Sequence, residues 1–236
     1  MTVYAIDVDE VTVSEIQGAG HISPLVDTLV QTEGIVTGVA FNGFYLQGES
    51  DGNDKTSDGI FVFTDNQPTV GVGDATRVFG TVSEFISGGA DTGNLSVTQL
   101  SSPEVVVLSS YNELPEAVVI GQSGRVAPSE IVISDDELPT NLQETAGKFD
   151  PQQDAIDFYE AVEGMRVTVE DAIAISPTRV FTPFSAEAFT LPNQGATATP
   201  EDALTARGGI NLRSGPDNTG DQNPERVQIQ FDPNLL

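Results

Sequence analysis

The stretch ESDGNDKTSDG, residues 49–59, gathers the side chains best suited to holding a metal ion. Its oxygen-bearing candidates are Glu49, Asp51, Asn53, Asp54 and Asp58. Oxygen donors alternating with glycine can wrap a hard cation such as Ca²⁺, although the closing Glu of an EF-hand loop is missing. A solvated hairpin loop, in which Asp and Asn side chains bond their own backbone, explains the same composition. Calcium is therefore the candidate cofactor, and a purely structural loop is the alternative.

A second set of side chains has the types needed to bind single-stranded nucleic acid. It combines aromatic rings with cationic groups: Phe44, Tyr45, Lys55, Arg77, Phe79 and Phe85. Proteins that hold single strands stack bases on aromatic rings beside a basic groove. In extended strands, Arg77 and Phe79 share one face, whereas Phe44 and Tyr45 face opposite sides. Each ring, taken singly, could instead fill the core.

Residues suited to catalysis are scarce. His21 is the single histidine and cysteine is absent, which excludes His-pair metal sites, thiolate zinc sites and a Cys nucleophile. The sequence has no G-x-S-x-G elbow, P-loop or dinucleotide fingerprint. Pairs of carboxylates are unavoidable in so acidic a chain, so no pair predicts glycosidase chemistry. The sequence therefore predicts no catalytic residue.

The charge of the chain limits its partners. It has 36 Asp and Glu against 9 Lys and Arg, a formal net charge of −27, with the acids spread along its whole length. A field of that sign repels phosphate backbones at long range. The acidity and the scarcity of lysine favour a marine, halotolerant or extracellular setting. No run reaches the roughly 18 apolar residues of a membrane span, and the start resembles no signal peptide.

The elements that must position these residues are mostly β-strands. After an extended segment, 1–25, the apolar runs are VQTEGIVTGVAF, GFYLQG, DGIFVFT, DATRVFGTVSEF and GNLSVTQL, the last continuing into PEVVVLS. The first run is long and contains Gly34 and Gly38, and glycine inside a strand marks a bulge or bend. Five strands at this spacing predict a small closed barrel over residues 26–110.

The second half of the chain changes character. Residues 111–156 are rich in Pro, Gly, Gln and acid, and are interpreted as a linker that packs on the barrel. One or two helical turns are predicted at 154–161, with Asp154 as the N-cap. Residues 157–236 are predicted to form a second β domain. A second acidic loop, a weaker cation candidate, holds Asp217, Asp221 and Glu225.

Several of these segments, in this order, resemble the OB-fold region of large secreted bacterial nucleases of the endonuclease/exonuclease/phosphatase superfamily. The similar segments are EIQGAGHISPL, VQTEGIVTGV, GFYLQ, TSDGIFVF, VGDATRVFGTVSEF, YEAVEGMRVTV and NPERVQIQFD. The resemblance covers most of 14–110 and 157–176. It implies a five-stranded OB-like barrel followed by a second OB-like β domain, which is either incomplete or has its edge covered by the linker.

The resemblance also implies a function. The chain would be a non-catalytic accessory module of an extracellular nuclease, weakly binding or positioning DNA or RNA. Catalysis would belong to a C-terminal nuclease domain of the parent protein that this chain does not contain. The alternative is a calcium-stabilised structural or protein-interaction module of an extracellular protein. A third hypothesis is an intact hydrolase whose metal ions are held by carboxylates.

Overall fold

The structure, a computed structural model, describes residues 8, 10–134, 148–182, 185–198, 204–212 and 222–231. The chain divides into two compact units. Unit 1 comprises Met1–Pro115, Glu163–Met165 and Leu236, and unit 2 comprises Glu116–Val162 and Arg166–Leu235. Strands outnumber helices in both, so the prediction of a mostly β protein is confirmed. Within the described ranges, no helix combines the length and apolar character that crossing a bilayer requires.

Unit 1 is built on a closed five-stranded sheet. Its strands are β1 Leu29–Ala40, β2 Gly43–Gln47, β3 Gly59–Phe63, β4 Ala75–Ile86 and β5 Ser96–Ser109. The pairing runs in the order β1-β2-β3-β5-β4 and closes where β4 pairs with β1. All pairs are antiparallel except β3 with β5. The two runs predicted around residues 93–109 form one continuous strand, β5.

The long strand β1 serves both halves of this sheet. Its first half, residues 29–35, pairs with β4, and its second half pairs with β2. The register shifts between Val36 and Gly38, which is where a glycine was predicted to mark a bulge. A Cβ at Gly34 would lie 2.6 Å from the carbonyl oxygen of Gln47, so only glycine lets the strands approach this closely.

The core of unit 1 lies inside the closed sheet. Side chains alternate between the two faces of a strand, so every second residue points inward. The fully buried apolar residues of the five strands are Val30, Val36, Phe44, Leu46, Ile60, Val62, Val78, Val82 and Leu100. Their neighbours along the strands therefore form the outer face.

A short helix, α1 Val13–Gln17, lies within the segment predicted to be extended. Its start is a capping box: Thr12 Oγ1 accepts from the Glu15 amide at 3.2 Å, and Glu15 Oε2 accepts from the Thr12 amide at 2.8 Å. Val13 and Ile16 are buried in the core of unit 1. The pattern T-x-x-E at residues 12–15 is a helix-start signal that can be read from the sequence.

Within the residues that the structure describes, unit 2 contains two small sheets and one α-helix. Its elements are β6 Val118–Ile120, α2 Ala155–Glu160, β7 Val167–Val169, β8 Ile173–Ala174, β9 Arg179–Thr182, β10 Ser185–Leu191 and β11 Val227–Phe231. Strands β6 and β7 pair in parallel. Strand β10 is central in the other sheet and pairs with β11, β8 and β9, all antiparallel. The core of this second sheet is formed around Ile175 and Leu191.

The predicted helix at 154–161 is confirmed as α2. Asp154 occupies its N-cap position, but the side chain makes no capping bond and instead accepts from Ser134 Oγ at 3.0 Å. Nearby, the Tyr159 hydroxyl donates to the carbonyl oxygens of Pro224 and Arg226. Burial, and then the negative charge of Glu225, raise the pKa of Tyr159.

Candidate functional site on the outer face of unit 1

A row of side chains crosses four strands on the outer face of the closed sheet. Directly paired residues project to the same face. Tyr45 on β2 pairs with Phe61 on β3, Phe61 pairs with Gln99 on β5, and Gln99 pairs with Ser83 on β4. The inward neighbours of the two rings, Phe44 and Ile60 among them, are fully buried. Alternation along each strand therefore separates a packed core from an aromatic outer surface.

The two central rings are in contact. The centroids of Tyr45 and Phe61 are 5.1 Å apart and their planes are tilted by 60°, a favourable geometry for aromatic pairs. Gly43 makes room for this arrangement, because a Cβ at that position would clash with the ring of Phe61 and with the carbonyl oxygen of Val62. The missing side chain on β2 thus lets the Phe61 ring lie across the neighbouring strand.

These rings line a pocket of about 440 Å³, a size within the usual range for small-ligand sites. Its apolar wall consists of Tyr45, Phe61, Phe63, Phe85 and Val97. Its polar wall consists of Asn42, Gln99, Glu163 and the backbone of Gly164. Asn42 belongs to the loop between β1 and β2, whereas Phe85 and Val97 flank the loop between β4 and β5. None of the described lining residues is Lys or Arg, so the pocket offers no cationic clamp for a phosphate.

Glu163 reaches the pocket from a distant part of the sequence. Its Oε1 accepts from the backbone amide of Thr98 at 3.0 Å and from Gln17 Nε2 at 3.5 Å. Its own carbonyl oxygen accepts from Ser57 Oγ at 2.5 Å. Gln17 also donates to the carbonyl oxygen of Gly59 at 2.6 Å. These bonds hold residues 163–165 against β3 and β5 and fix the carboxylate in the pocket wall.

The structure brings together two of the six side chains predicted to bind nucleic acid. Tyr45 and Phe85 line the pocket, and Phe85 is 53% exposed. Phe44 is fully buried in the core and presents no face to a ligand. The sequence left open the alternative that each ring fills the core, and Phe44 does so.

The other three predicted side chains lie away from this pocket. Arg77 on β4 pairs with Glu33 on β1, with Nε donating to Oε1 at 2.7 Å and Nη2 at 2.6 Å from the same oxygen. Phe79, two residues further along β4, is half-buried opposite Glu104. Lys55 lies in the loop between β2 and β3. No cationic side chain of the predicted set therefore accompanies the two aromatic ones.

Sequence reasoning missed Phe61, Phe63 and Glu163. The run IFVF carries a signal for the two rings, because residues two apart in a strand share a face. No local signal could have found Glu163, whose partners Gln17 and Thr98 are 146 and 65 residues away along the chain.

The acidic loop closes on itself through hydrogen bonds. Asp51 accepts from the Asn53 amide through Oδ1 and from Thr56 Oγ1 through Oδ2, both at 2.8 Å. Asn53 Oδ1 accepts from the Lys55 amide at 3.1 Å, and Asp58 Oδ1 accepts from the Asp51 amide at 3.4 Å. This is the bonding expected of a polar hairpin loop.

The candidate metal ligands are not grouped in space. Among the residues that the structure describes, no three or more His, Asp or Glu side chains lie together as metal ligands would. Glu49 and Asp54 of the first loop are exposed. In the second acidic loop, Glu225 is fully buried, and Asp217 and Asp221 lie outside the described residues. Calcium binding stays a prediction.

Comparison with known proteins matches the second half of the chain to a protein family model. Residues 119–235 match the family model of a domain of unknown function, DUF8508. The matched range is just under half of the chain; it begins in β6 and contains every later element. Neither the curated proteins nor the solved structures yield a match. Apart from Glu163 and Gly164, the pocket lies outside the matched range.

Proposed function

We propose that this chain is a non-catalytic, OB-like module of an extracellular nuclease that weakly binds single-stranded nucleic acid. The bound strand would be positioned for a catalytic domain elsewhere in the parent protein. The observation that carries the proposal is the aromatic pocket on the outer face of β2 and β3, which is open beside the β1–β2 and β4–β5 loops. OB-folds bind oligonucleotides and oligosaccharides at that face, between those two loops.

The strand order supports the OB-like part of the proposal. A five-stranded closed sheet with the order β1-β2-β3-β5-β4, and a long bent first strand shared by both halves, has the connectivity expected of an OB barrel. The segments of the sequence that resemble the nuclease OB region lie in four of the five strands, β1 to β4. The second OB-like domain and the extracellular setting rest on that resemblance and on the acidic composition.

The pocket's chemistry supports weak binding through bases. Stacking of a base on an aromatic ring contributes about 1–3 kcal/mol and does not depend on charge. The described lining offers rings and amides for this purpose but no Lys or Arg. With a net charge of −27, the chain repels the phosphates of the same ligand. Base stacking must therefore supply the affinity, and divalent cations should ease the repulsion.

Fluorescence anisotropy with a labelled single-stranded oligonucleotide tests the proposal, at low and moderate salt and with or without calcium. Phe85→Ala removes an exposed ring from the pocket and should weaken binding by about tenfold. Tyr111→Ala is the matched control, because Tyr111 is 99% exposed and does not line the pocket. An absence of binding in every condition would reject the proposal and favour the structural module.

The non-catalytic part of the proposal has its own test. The chain should not cleave single- or double-stranded DNA or RNA with magnesium or manganese, since no catalytic residue is predicted. Turnover that EDTA abolishes would show that the chain is itself a metal-dependent hydrolase.

A further inference from the structure

Four aromatic side chains line the pocket of unit 1: Tyr45, Phe61, Phe63 and Phe85. They come from three strands, since Tyr45 lies on β2, Phe61 and Phe63 lie on β3, and Phe85 lies on β4. The face of an aromatic ring is negative and attracts a cation placed over it. Several rings around one pocket therefore offer a cation more than one favourable face.

The geometry of the rings suits a rounded ligand. The planes of Tyr45 and Phe61 are tilted by 60°, and their centroids are 5.1 Å apart. A planar group that stacks on one of these two rings cannot lie parallel to the other, whereas a near-spherical group can contact both. The pocket volume of about 440 Å³ admits a whole small molecule that carries such a group.

The charge of the protein favours a positive ligand. None of the described lining residues is a Lys or Arg that would repel a cation. The chain as a whole has a net charge of −27. A field of that sign raises the local concentration of cations and lowers that of anions. Charge complementarity therefore points to a cationic occupant and away from anions such as fatty acids.

A trimethylammonium group meets both requirements. Its nitrogen has four carbon substituents, so the group is nearly spherical and spreads its positive charge over methyl groups. It has no N–H donor, so it needs no free hydrogen-bond acceptor in the pocket wall. Aromatic rings are the usual means by which proteins recognise quaternary ammonium ligands.

We propose that the aromatic pocket of unit 1 binds a small free cation that carries a trimethylammonium group, of the choline type. This goes beyond the proposed function, because the ligand has no phosphate and no base. Both ligands would use the same rings, so choline should displace a bound oligonucleotide. Their salt responses differ in sign, since screening weakens the attraction between the acidic chain and a cation.

The test is an NMR titration of the ¹⁵N-labelled full chain with choline chloride, at an ionic strength kept constant with sodium chloride. The amide signals of Tyr45 and Phe61 should shift. The matched ligand is 3,3-dimethylbutan-1-ol, in which carbon replaces the charged nitrogen of choline. Choline should bind about tenfold more tightly than this neutral isostere, because cation–π attraction contributes up to about 2 kcal/mol at a desolvated site.

The matching protein variant is Phe85→Leu, which removes a ring but keeps an apolar side chain. It should weaken choline binding about three- to fivefold and change binding of the isostere by less than twofold. Phe231→Leu is the control, because Phe231 on β11 is 55% exposed, similar to Phe85 at 53%, and does not line the pocket. That variant should bind both ligands as the wild type does.

The outcomes separate this proposal from the proposed function. Equal affinity for choline and its isostere would show an apolar pocket without selection for charge and would overturn the proposal. Oligonucleotide binding without choline binding would leave only the proposed function standing, whereas the reverse result would leave only the cation site. Co-sedimentation with phosphatidylcholine vesicles, without binding of free choline, would overturn the assignment of a free ligand.

Discussion

Two threonine hydroxyls inside unit 1 are buried without a hydrogen-bond partner among the described residues: those of Thr32 and Thr76. Both side chains are fully buried and project into the closed sheet, from β1 and β4. A buried hydroxyl that makes no bond retains the full cost of leaving water. By contrast, the buried hydroxyl of Thr98 donates to Glu84 Oε1 at 2.9 Å.

These two environments predict opposite effects of the same substitution. Thr76→Val removes an unpaired hydroxyl and should raise the free energy of unfolding by about 1 kcal/mol. Thr98→Val removes one of the two donors to Glu84 Oε1, the other being the Ser23 amide, and should lower it by about 1–3 kcal/mol. Urea denaturation measures both. A loss of stability in Thr76→Val would mean that its hydroxyl has a partner, such as a buried water.

Still at the scale of single residues, the sequence predicted which side chains lie on opposite faces of a strand better than it predicted which of those faces is the core. Alternation placed Phe44 and Tyr45 on opposite faces, and they do lie on opposite faces. It could not decide which face is the core, because both faces of β2 carry large apolar or amphipathic side chains. That choice depends on which strands close around β2, and closure is a property of the whole sheet.

At the scale of elements, the five strands of unit 1 could be located within one to three residues, since turn residues separate runs of apolar ones. Their pairing was less accessible. The parallel contact of β3 with β5 joins segments separated by all of β4, and no local pattern encodes it. The return of residues 163–165 to unit 1 was equally hidden.

Gly43 gives an element-level prediction, since β2 must leave room for the Phe61 ring. Gly43→Ala should cost about 1–3 kcal/mol of stability, because the added methyl meets both a ring and a backbone oxygen. It should also weaken oligonucleotide binding by displacing Phe61. Gly20→Ala is the control, since a Cβ there has no atom within 4 Å. Equal stability of the two variants by urea denaturation would contradict the packing account.

Glu170 gives a second prediction at this scale, in unit 2. Its Oε2 accepts from Asn193 Nδ2 and from the Ser123 amide, both at 2.9 Å. These bonds, that of Asn193 first, lower the pKa of Glu170 below its ordinary value. A folded-state pKa below the unfolded one contributes stability above the unfolded pKa, and this is lost as pH falls through the folded pKa.

The melting temperature should therefore fall less in Glu170→Gln than in the wild type when pH decreases from about 6 to about 3. Glu130→Gln, which replaces an exposed glutamate of the same unit, serves as the control and should retain the wild-type pH profile. Identical profiles for all three proteins would show that the bonds to Glu170 contribute nothing to the acid sensitivity.

At the scale of the whole molecule, the net charge of −27 gives oligonucleotide binding an unusual salt response. Most nucleic-acid-binding proteins lose affinity as salt rises, because their Lys and Arg side chains displace counterions from the phosphates on binding. In the proposed complex, base stacking attracts the oligonucleotide, whereas the negative field of the chain repels its phosphates. Salt screens only this repulsion. Affinity should rise about two- to fivefold between low and moderate sodium chloride. Affinity that falls with salt would instead reveal phosphate contacts that outweigh the repulsion.

Composition correctly indicated a mostly β protein, yet the division into units could not be read linearly from the sequence. The pocket wall is completed by Glu163 and Gly164, which belong to a three-residue segment that follows unit 1's main segment by nearly fifty positions. On the ribosome, the sheet strands emerge well before Glu163, so the nascent site lacks its carboxylate until that tripeptide arrives. A protease cut after Pro115 should likewise leave a fragment that keeps the aromatic rings of the pocket but lacks the Glu163 carboxylate.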